Sequence, residues 1–91
     1  MTNLRVFPII RQARFEAKRV AMRSVYFTTV SDEPDRAIRL LSDAEAEVEA
    51  TLRREGVPAE DRRVAIAAYR ADLHDMIRRN GGGAILERVA Q

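Results

Sequence analysis

The stretch that decides the fold runs from Val6 to Phe27 and reads VFPIIRQARFEAKRVAMRSVYF. Its apolar and small residues recur in alternating steps of four and three, the spacing that places side chains on one stripe of an α-helix. Because proline is tolerated only in the first turn of a helix, Pro8 predicts that this helix begins near Phe7. The stripe consists of Val6, Ile10, Ala13, Ala17, Val20, Ser24 and Phe27.

The middle of this stripe is built from small side chains. Ala13, Ala17 and Ala21 follow one another at intervals of four residues, so a second backbone can approach closely along them. Ile9, Phe15 and Met22 are expected to widen the apolar surface on either side. The pattern therefore favours tight helix-helix contact along the first helix.

The end of this stretch is ambiguous. Residues 24–30 read SVYFTTV, which is rich in β-branched and aromatic residues and would pass as a strand in isolation. We favour the last turns of the helix followed by an extended exit. The strand remains as the alternative, because a strand before two helices is the order found in ribbon-helix-helix proteins that bind DNA.

Two further helices follow, each with its own start and stop signals. Ser31 to Asp35 supplies a cap, early acids and an early proline, and Gly56 ends the second helix. The sequence SDAE from Ser42 matches a capping box and allows a kink there, although a continuous helix is favoured because the apolar spacing does not slip. Pro58 opens the third helix, and Asn80-Gly81 ends it.

The C-terminal segment reads as a glycine hinge at residues 81–83 followed by a short helix at 84–90. Ile85, Leu86 and Val89 group on one side of that helix. A helix of about two turns is marginal alone in water, so it must dock on this domain, on a second copy or on a partner. We expect deletion of residues 84–91 to leave the remaining helices folded and to weaken association.

These elements predict an all-α fold in one domain over residues 1–91, either a three-helix bundle or a helical hairpin plus a third helix, with a short C-terminal helix. A chain of 91 residues leaves little room for a deep cleft. The absence of cysteine fits a reducing compartment, and cytoplasm is the expected location. No apolar stretch approaches the length that spans a bilayer, although an arginine-rich start is also typical of organellar transit peptides.

No combination of residues predicts catalysis, a cofactor or a metal site. His74 is the only histidine, lacks a glutamate three residues before it, and has arginines at 70 and 78, which indicates a solvated face. The glycines at 81–83 are not followed by the lysine and hydroxyl residue of a phosphate loop. Four acids, Asp43, Glu45, Glu47 and Glu49, are interpreted as a solvated face of the second helix that a cationic neighbour would stabilise.

Charge is divided unevenly along the chain. The first 31 residues carry six Lys/Arg and one acid, a net +5, whereas the remaining 60 carry ten Lys/Arg and thirteen acids, a net −3. If the first two helices pack as an antiparallel hairpin, their charges partly neutralise each other, and Arg14 and Lys18 face the acidic second helix or a protein partner. If they splay apart, the cations form a ridge that could neutralise phosphates.

Two classes of function follow from this division. The favoured one is a non-enzymatic protein-interaction module, such as a regulator, inhibitor or accessory subunit, that acts by protein contact and forms a homodimer. The alternative is a nucleic-acid-binding regulator that uses the basic first helix, and a membrane partner is disfavoured because the stripe is alanine-rich and lacks tryptophan. The predicted protein interface comprises Ala13, Ala17, Val20, Tyr26, Phe27, Ile85, Leu86 and Val89. The candidate nucleic-acid contacts are Arg11, Arg14, Lys18, Arg19 and Arg23.

Overall fold

The first helix is the longest element of the protein. A computed structural model describes residues 6–89 and contains α1 (Val6–Thr29), α2 (Pro34–Arg54), α3 (Ala59–Arg79) and α4 (Gly83–Val89). No strand occurs between residues 6 and 89, so the all-α prediction is confirmed. The bundle measures 43 × 23 × 17 Å. No helix within the described part of the chain is long and apolar enough to cross a membrane.

The ambiguous segment at residues 24–30 is helical as far as Thr29, so the strand alternative is wrong. Thr28 donates a hydrogen bond from Oγ1 to the carbonyl of Ser24 at 3.1 Å, and Thr29 donates one to the carbonyl of Val25 at 2.8 Å. Such bonds let β-branched hydroxyl residues satisfy their polar atoms inside a helix. The helical spacing of the whole stretch therefore overrides the strand preference of its last residues.

The small-residue stripe of α1 forms the centre of the bundle. Ala17, Ala21 and Ser24 are fully buried, and α1 packs along both α2 and α3. The Ser24 hydroxyl donates to the carbonyl of Val20 at 3.0 Å, so burial of this polar side chain leaves no unpaired atom. The predicted close helix-helix contact is present, and α1 makes it with helices of the same chain.

The α1–α2 turn uses a left-handed residue that is not glycine. Asp32 has a φ of +53°, and the N–H of Glu33 donates to the carbonyl of Phe27 at 2.6 Å. Aspartate tolerates this backbone region better than most residues do. Pro34 is the first residue of α2, as its fixed φ favours, and α2 continues through Ser42 as one uninterrupted helix.

The second and third helices end in the same way. The N–H of Val57 donates to the carbonyl of Leu52, and the N–H of Gly82 donates to the carbonyl of Ile77. Gly56 and Gly81, the residues before these donors, have φ values of +75° and +86°. Both ends are Schellman motifs, in which glycine adopts the left-handed conformation at little cost. The predicted stops at both glycines are confirmed.

The glycine segment is a packed turn, which differs from the predicted hinge. Gly82 is buried, and a Cβ atom placed there would overlap the Cγ2 atom of Ile77 and lie 3.1 Å from that of Val25. Gly83 already belongs to α4. Glycine is required at position 82 because the backbone there lies too close to the core for a Cβ atom. The segment therefore supplies a left-handed stop at Gly81 and a close approach at Gly82.

The short C-terminal helix docks on its own chain. Ile85 is 0% exposed, and α4 contacts both α2 and α3. Arg88 donates from Nη2 to Oδ1 of Asp35 on α2 at 3.0 Å. Of the three partners considered for this helix, the structure therefore identifies the domain itself. The end predicted at residue 90 lies outside the described residues.

Candidate protein-interaction surface

Most of the predicted interface residues lie inside the bundle. Ala13, Ala17, Phe27 and Ile85 are buried against other helices of this chain, and Val20 and Leu86 are half-buried. Tyr26 and Val89 remain exposed, at 52% and 41%. The buried members are therefore inaccessible to a partner in this structure, which leaves Tyr26 and Val89 as the accessible part of the prediction.

Phe27 and Tyr26 have different surroundings although they are adjacent. The guanidinium carbon of Arg36 lies 4.3 Å from the centre of the Phe27 ring, and that of Arg23 lies 6.0 Å away. Such cation-π contacts add to the burial of Phe27 at the α1–α2 junction. The Tyr26 ring meets the Phe27 ring edge-on at 5.9 Å between centroids and turns its other side to solvent.

The cations of α1 are only partly neutralised within the chain. Arg14 forms an ion pair with Asp72, with Nε and Oδ2 2.5 Å apart. Asp72 belongs to α3, so the expectation that Arg14 faces the acidic second helix is wrong. Among residues 6–89, no acid forms an ion pair with the other candidate cations, all of which are exposed. These cations are Arg11, Lys18, Arg19 and Arg23.

Aromatic and apolar side chains share the exposed side of α1 with these cations. Phe15 is 83% exposed, Phe7 66% and Met22 43%. With Tyr26 and the neighbouring cations they form a continuous strip, which we name the outer face of α1. Its members are Phe7, Arg11, Phe15, Lys18, Arg19, Met22 and Tyr26.

The exposure of Phe15 and Met22 corrects the expectation that they widen the buried stripe. At 100° per residue, Phe15 lies close to the opposite side of the helix from Ala13, Ala17 and Ala21. The position of Phe15 on the helical wheel could have predicted its exposure. Burial of an α1 side chain depends on its angular position and not on its apolar character, because only the side occupied by the alanines contacts α2 and α3.

A groove lies beside the outer face, between α1 and α2. It has a volume of about 420 Å³ and an apolar floor that includes Ala13, Val48 and the ring of Tyr69. Glu16 from α1 and Glu47 from α2 line it as well. Groove-shaped surfaces with an apolar floor and a few polar groups are typical binding sites for side chains of a partner.

Within the described residues, the two acidic side chains that line the groove have no cationic partner. Among residues 6–89 neither Glu16 nor Glu47 forms an ion pair, although Gln12 donates from Nε2 to Oε1 of Glu16 at 3.0 Å. Burial raises the pKa of Tyr69, and the carboxylates of Glu45, Glu16 and Glu47 raise it further. The phenol stays protonated, and the charged side chains that line the groove are both carboxylates.

Two of the four acids predicted to form a solvated face of α2 are held by arginines of α3 and of α2 itself. Glu45 is half-buried and pairs with Arg70 of α3, whereas Glu49 pairs with Arg53 one turn along α2 at 2.9 Å. Helix α3, and not α1, therefore supplies the cationic neighbour for Glu45. The Ala-rich stripe sets this arrangement, because it lies between α2 and α3 and keeps most α1 cations turned outward.

His74 is half-buried on α3, whereas a solvated helix face was expected. Burial lowers its pKa, Glu45 acts in the opposite direction, and Arg78 and Arg70 lower the pKa further. The imidazole is therefore neutral at pH 7. Within residues 6–89, no three His, Cys, Asp or Glu side chains are arranged to hold a metal ion.

The outer face of α1 and the adjoining groove together form the candidate interaction surface. The face is aromatic and cationic, and the groove is apolar and anionic. Comparisons with protein-family models, characterised proteins and solved structures give no match to this chain.

Proposed function

We propose that this protein is a non-enzymatic protein-interaction module that binds through the outer face of α1. The observation that carries the proposal is the exposure of Phe15, at 83%, on a face that also presents exposed Phe7, Met22 and Tyr26. Aromatic residues, methionine and arginine are enriched in protein interfaces. Clustered exposed apolar side chains on a soluble domain are typical of a surface that a partner covers.

The charge of the outer face supports a protein partner that presents carboxylates to it. Arg11, Lys18 and Arg19 have no acid partner among residues 6–89, so their charge is available to a bound molecule. Complementary charges increase the rate of association and restrict the choice of partner. A regulator, inhibitor or accessory subunit in the cytoplasm would use the surface in this way, and that location stays a prediction.

The proposal is tested by photo-crosslinking in the cells from which the sequence comes. A photoreactive phenylalanine analogue at position 15 should give discrete protein adducts, including adducts with a second copy. The matched control is position 64 on α3, where Val64 is also exposed, at 68%. Equal adducts from both positions, or none from position 15, would overturn the proposal.

Nucleic acid is the second candidate partner, and one observation favours it. Exposed cations alternate with Phe15 and Tyr26 on the outer face, and aromatic rings among cations can stack on bases. Against it, the strand that a ribbon-helix-helix protein would use is helical here. Arg14 is also engaged by Asp72.

A salt titration decides between the two candidates. If the partner is protein, the wild type should bind duplex and single-stranded DNA only weakly at physiological salt. If it is nucleic acid, affinity should fall steeply with salt, and replacing Lys18 and Arg19 by Gln should flatten the slope by about 2 because two phosphate contacts are lost. Submicromolar binding with that behaviour, or crosslinks at position 15 that nuclease removes, would favour nucleic acid.

A further inference from the structure

We propose that the partner of the outer face is a second copy of this chain, bound by antiparallel contact of the two α1 helices, with Arg19 of each copy against Phe15 and Glu16 of the other. The inference rests on the proposed function and adds the identity of the partner and the contacts. Two observations support it: the spacing of the exposed residues along α1, and the charges that lie beside them.

A line of exposed residues runs along α1 with the spacing of a coiled-coil seam. It comprises Pro8, Gln12, Phe15, Arg19, Met22 and Tyr26, which are separated by steps of four, three, four, three and four. Alternating steps of four and three keep side chains facing a partner helix. We name this line the α1 seam. It reaches the edge of the groove, because Pro8 and Gln12 also line the groove.

The spacing of the α1 seam is the same in both directions, with its centre at Ala17. When two copies pack antiparallel about a two-fold axis, the residues of one α1 seam therefore lie opposite residues of the other. In that register Phe15 lies opposite the partner's Arg19, and Gln12 lies opposite the partner's Met22. Each contact between Phe15 and Arg19 places a guanidinium against an exposed aromatic ring, an arrangement that favours association.

Charge complementarity points to the same register. Glu16 lies one residue beyond Phe15, so the partner's Arg19 also comes within reach of the Glu16 carboxylate. Among residues 6–89, Glu16 has no cation partner and Arg19 has no acid partner. The two-fold axis makes this ion pair twice. Glu47, on the far side of the groove, adds negative charge that attracts the same guanidinium.

The full chain tests the proposal by its mass in solution over a range of protein concentrations. The wild type should approach twice 10.3 kDa as concentration rises. Phe15→Glu should leave a monomer, because it removes the aromatic anchor and adds a charge. Arg19→Glu should weaken association at least about tenfold, since it replaces two attractive pairs by two repulsions.

A charge exchange provides the specific control. Glu16→Arg should also weaken association, and the chain that carries both Arg19→Glu and Glu16→Arg should regain it, because the pairs are restored with reversed sign. Arg63→Glu makes the same change of charge at an exposed position of α3, outside the outer face, so it should change the dissociation constant less than about twofold. Equal loss in Arg63→Glu and Arg19→Glu, or no recovery in the double variant, would overturn the register.

The orientation is tested by disulfide crosslinking, because the natural chain has no cysteine. A mixture of Gln12→Cys and Met22→Cys chains should form a mixed disulfide dimer on oxidation, whereas neither variant alone should crosslink efficiently. Crosslinking of each variant with itself would instead indicate parallel helices and contradict the proposal. Wild-type protein that stays monomeric at millimolar concentration would overturn the second copy as partner, and photo-crosslinks from position 15 to another protein would still support the proposed function.

Discussion

Replacing Ala17 by Glu should unfold the bundle or lower its thermal midpoint by tens of degrees. Ala17 is 0% exposed at the centre of the stripe where α1 packs on α2 and α3. A carboxylate there has neither space nor a cation partner, and burial of an unpaired charge typically costs several kcal/mol. Domains of this size are stable by only about 5–15 kcal/mol, so the loss is a large fraction of the whole. Thermal unfolding followed by circular dichroism measures it.

Phe15→Glu is the matched control for this prediction. It introduces the same side chain two residues away on the same helix, but at a position that is 83% exposed. Surface substitutions usually change stability by about 0.5 kcal/mol or less, and the variants are compared at a protein concentration too low for dimers to form. A thermal midpoint that falls equally in both variants would show that glutamate disturbs α1 by a route other than burial, and an unchanged midpoint in Ala17→Glu would contradict the packing of the stripe.

Truncation of Ile85 to Ala should cost about 2–5 kcal/mol, because its side chain is fully buried and its removal leaves a cavity. Deletion of residues 84–91 removes the same side chain together with the ion pair from Arg88 to Asp35, so it should destabilise the protein at least as much. This reverses the expectation from the sequence that the tail is dispensable for folding. Unfolding in urea gives the free energy of each variant.

Val89→Ala is the control for the tail, since Val89 lies on the same helix and is 41% exposed. Its effect should be within about 1 kcal/mol of the wild type. If Ile85→Ala had the stability of the wild type, α4 would not be docked in solution, and the predicted role of the tail in association would return as the better interpretation.

The helix boundaries marked by proline or glycine could be predicted from the sequence because their signals are local. Pro34, Gly56 and Gly81 fix the backbone of one or two residues each, and the helices begin or end beside them. The class of fold follows for the same reason, since a spacing of three and four residues specifies a helix without reference to its neighbours.

The partners of side chains could not be predicted in the same way. Periodicity identifies which residues share a face of a helix, but it does not identify what that face contacts. Arg14 therefore meets Asp72 instead of an acid of α2, and the alanines proposed as an interface form the core. The angle at which α1 sits between α2 and α3 decides both outcomes, and that angle depends on packing among all three helices.

The close packing at Gly82 restricts how this sequence can change during evolution. Every other amino acid carries a Cβ atom, and here that atom would overlap the Cγ2 atom of Ile77, so position 82 admits no neutral replacement unless Ile77 changes as well. Gly83, one residue later, has nothing within 4 Å of the same atom. Among homologous chains we therefore expect Gly82 to be constant and Gly83 to vary. The sequence of three consecutive glycines gives no sign of this difference.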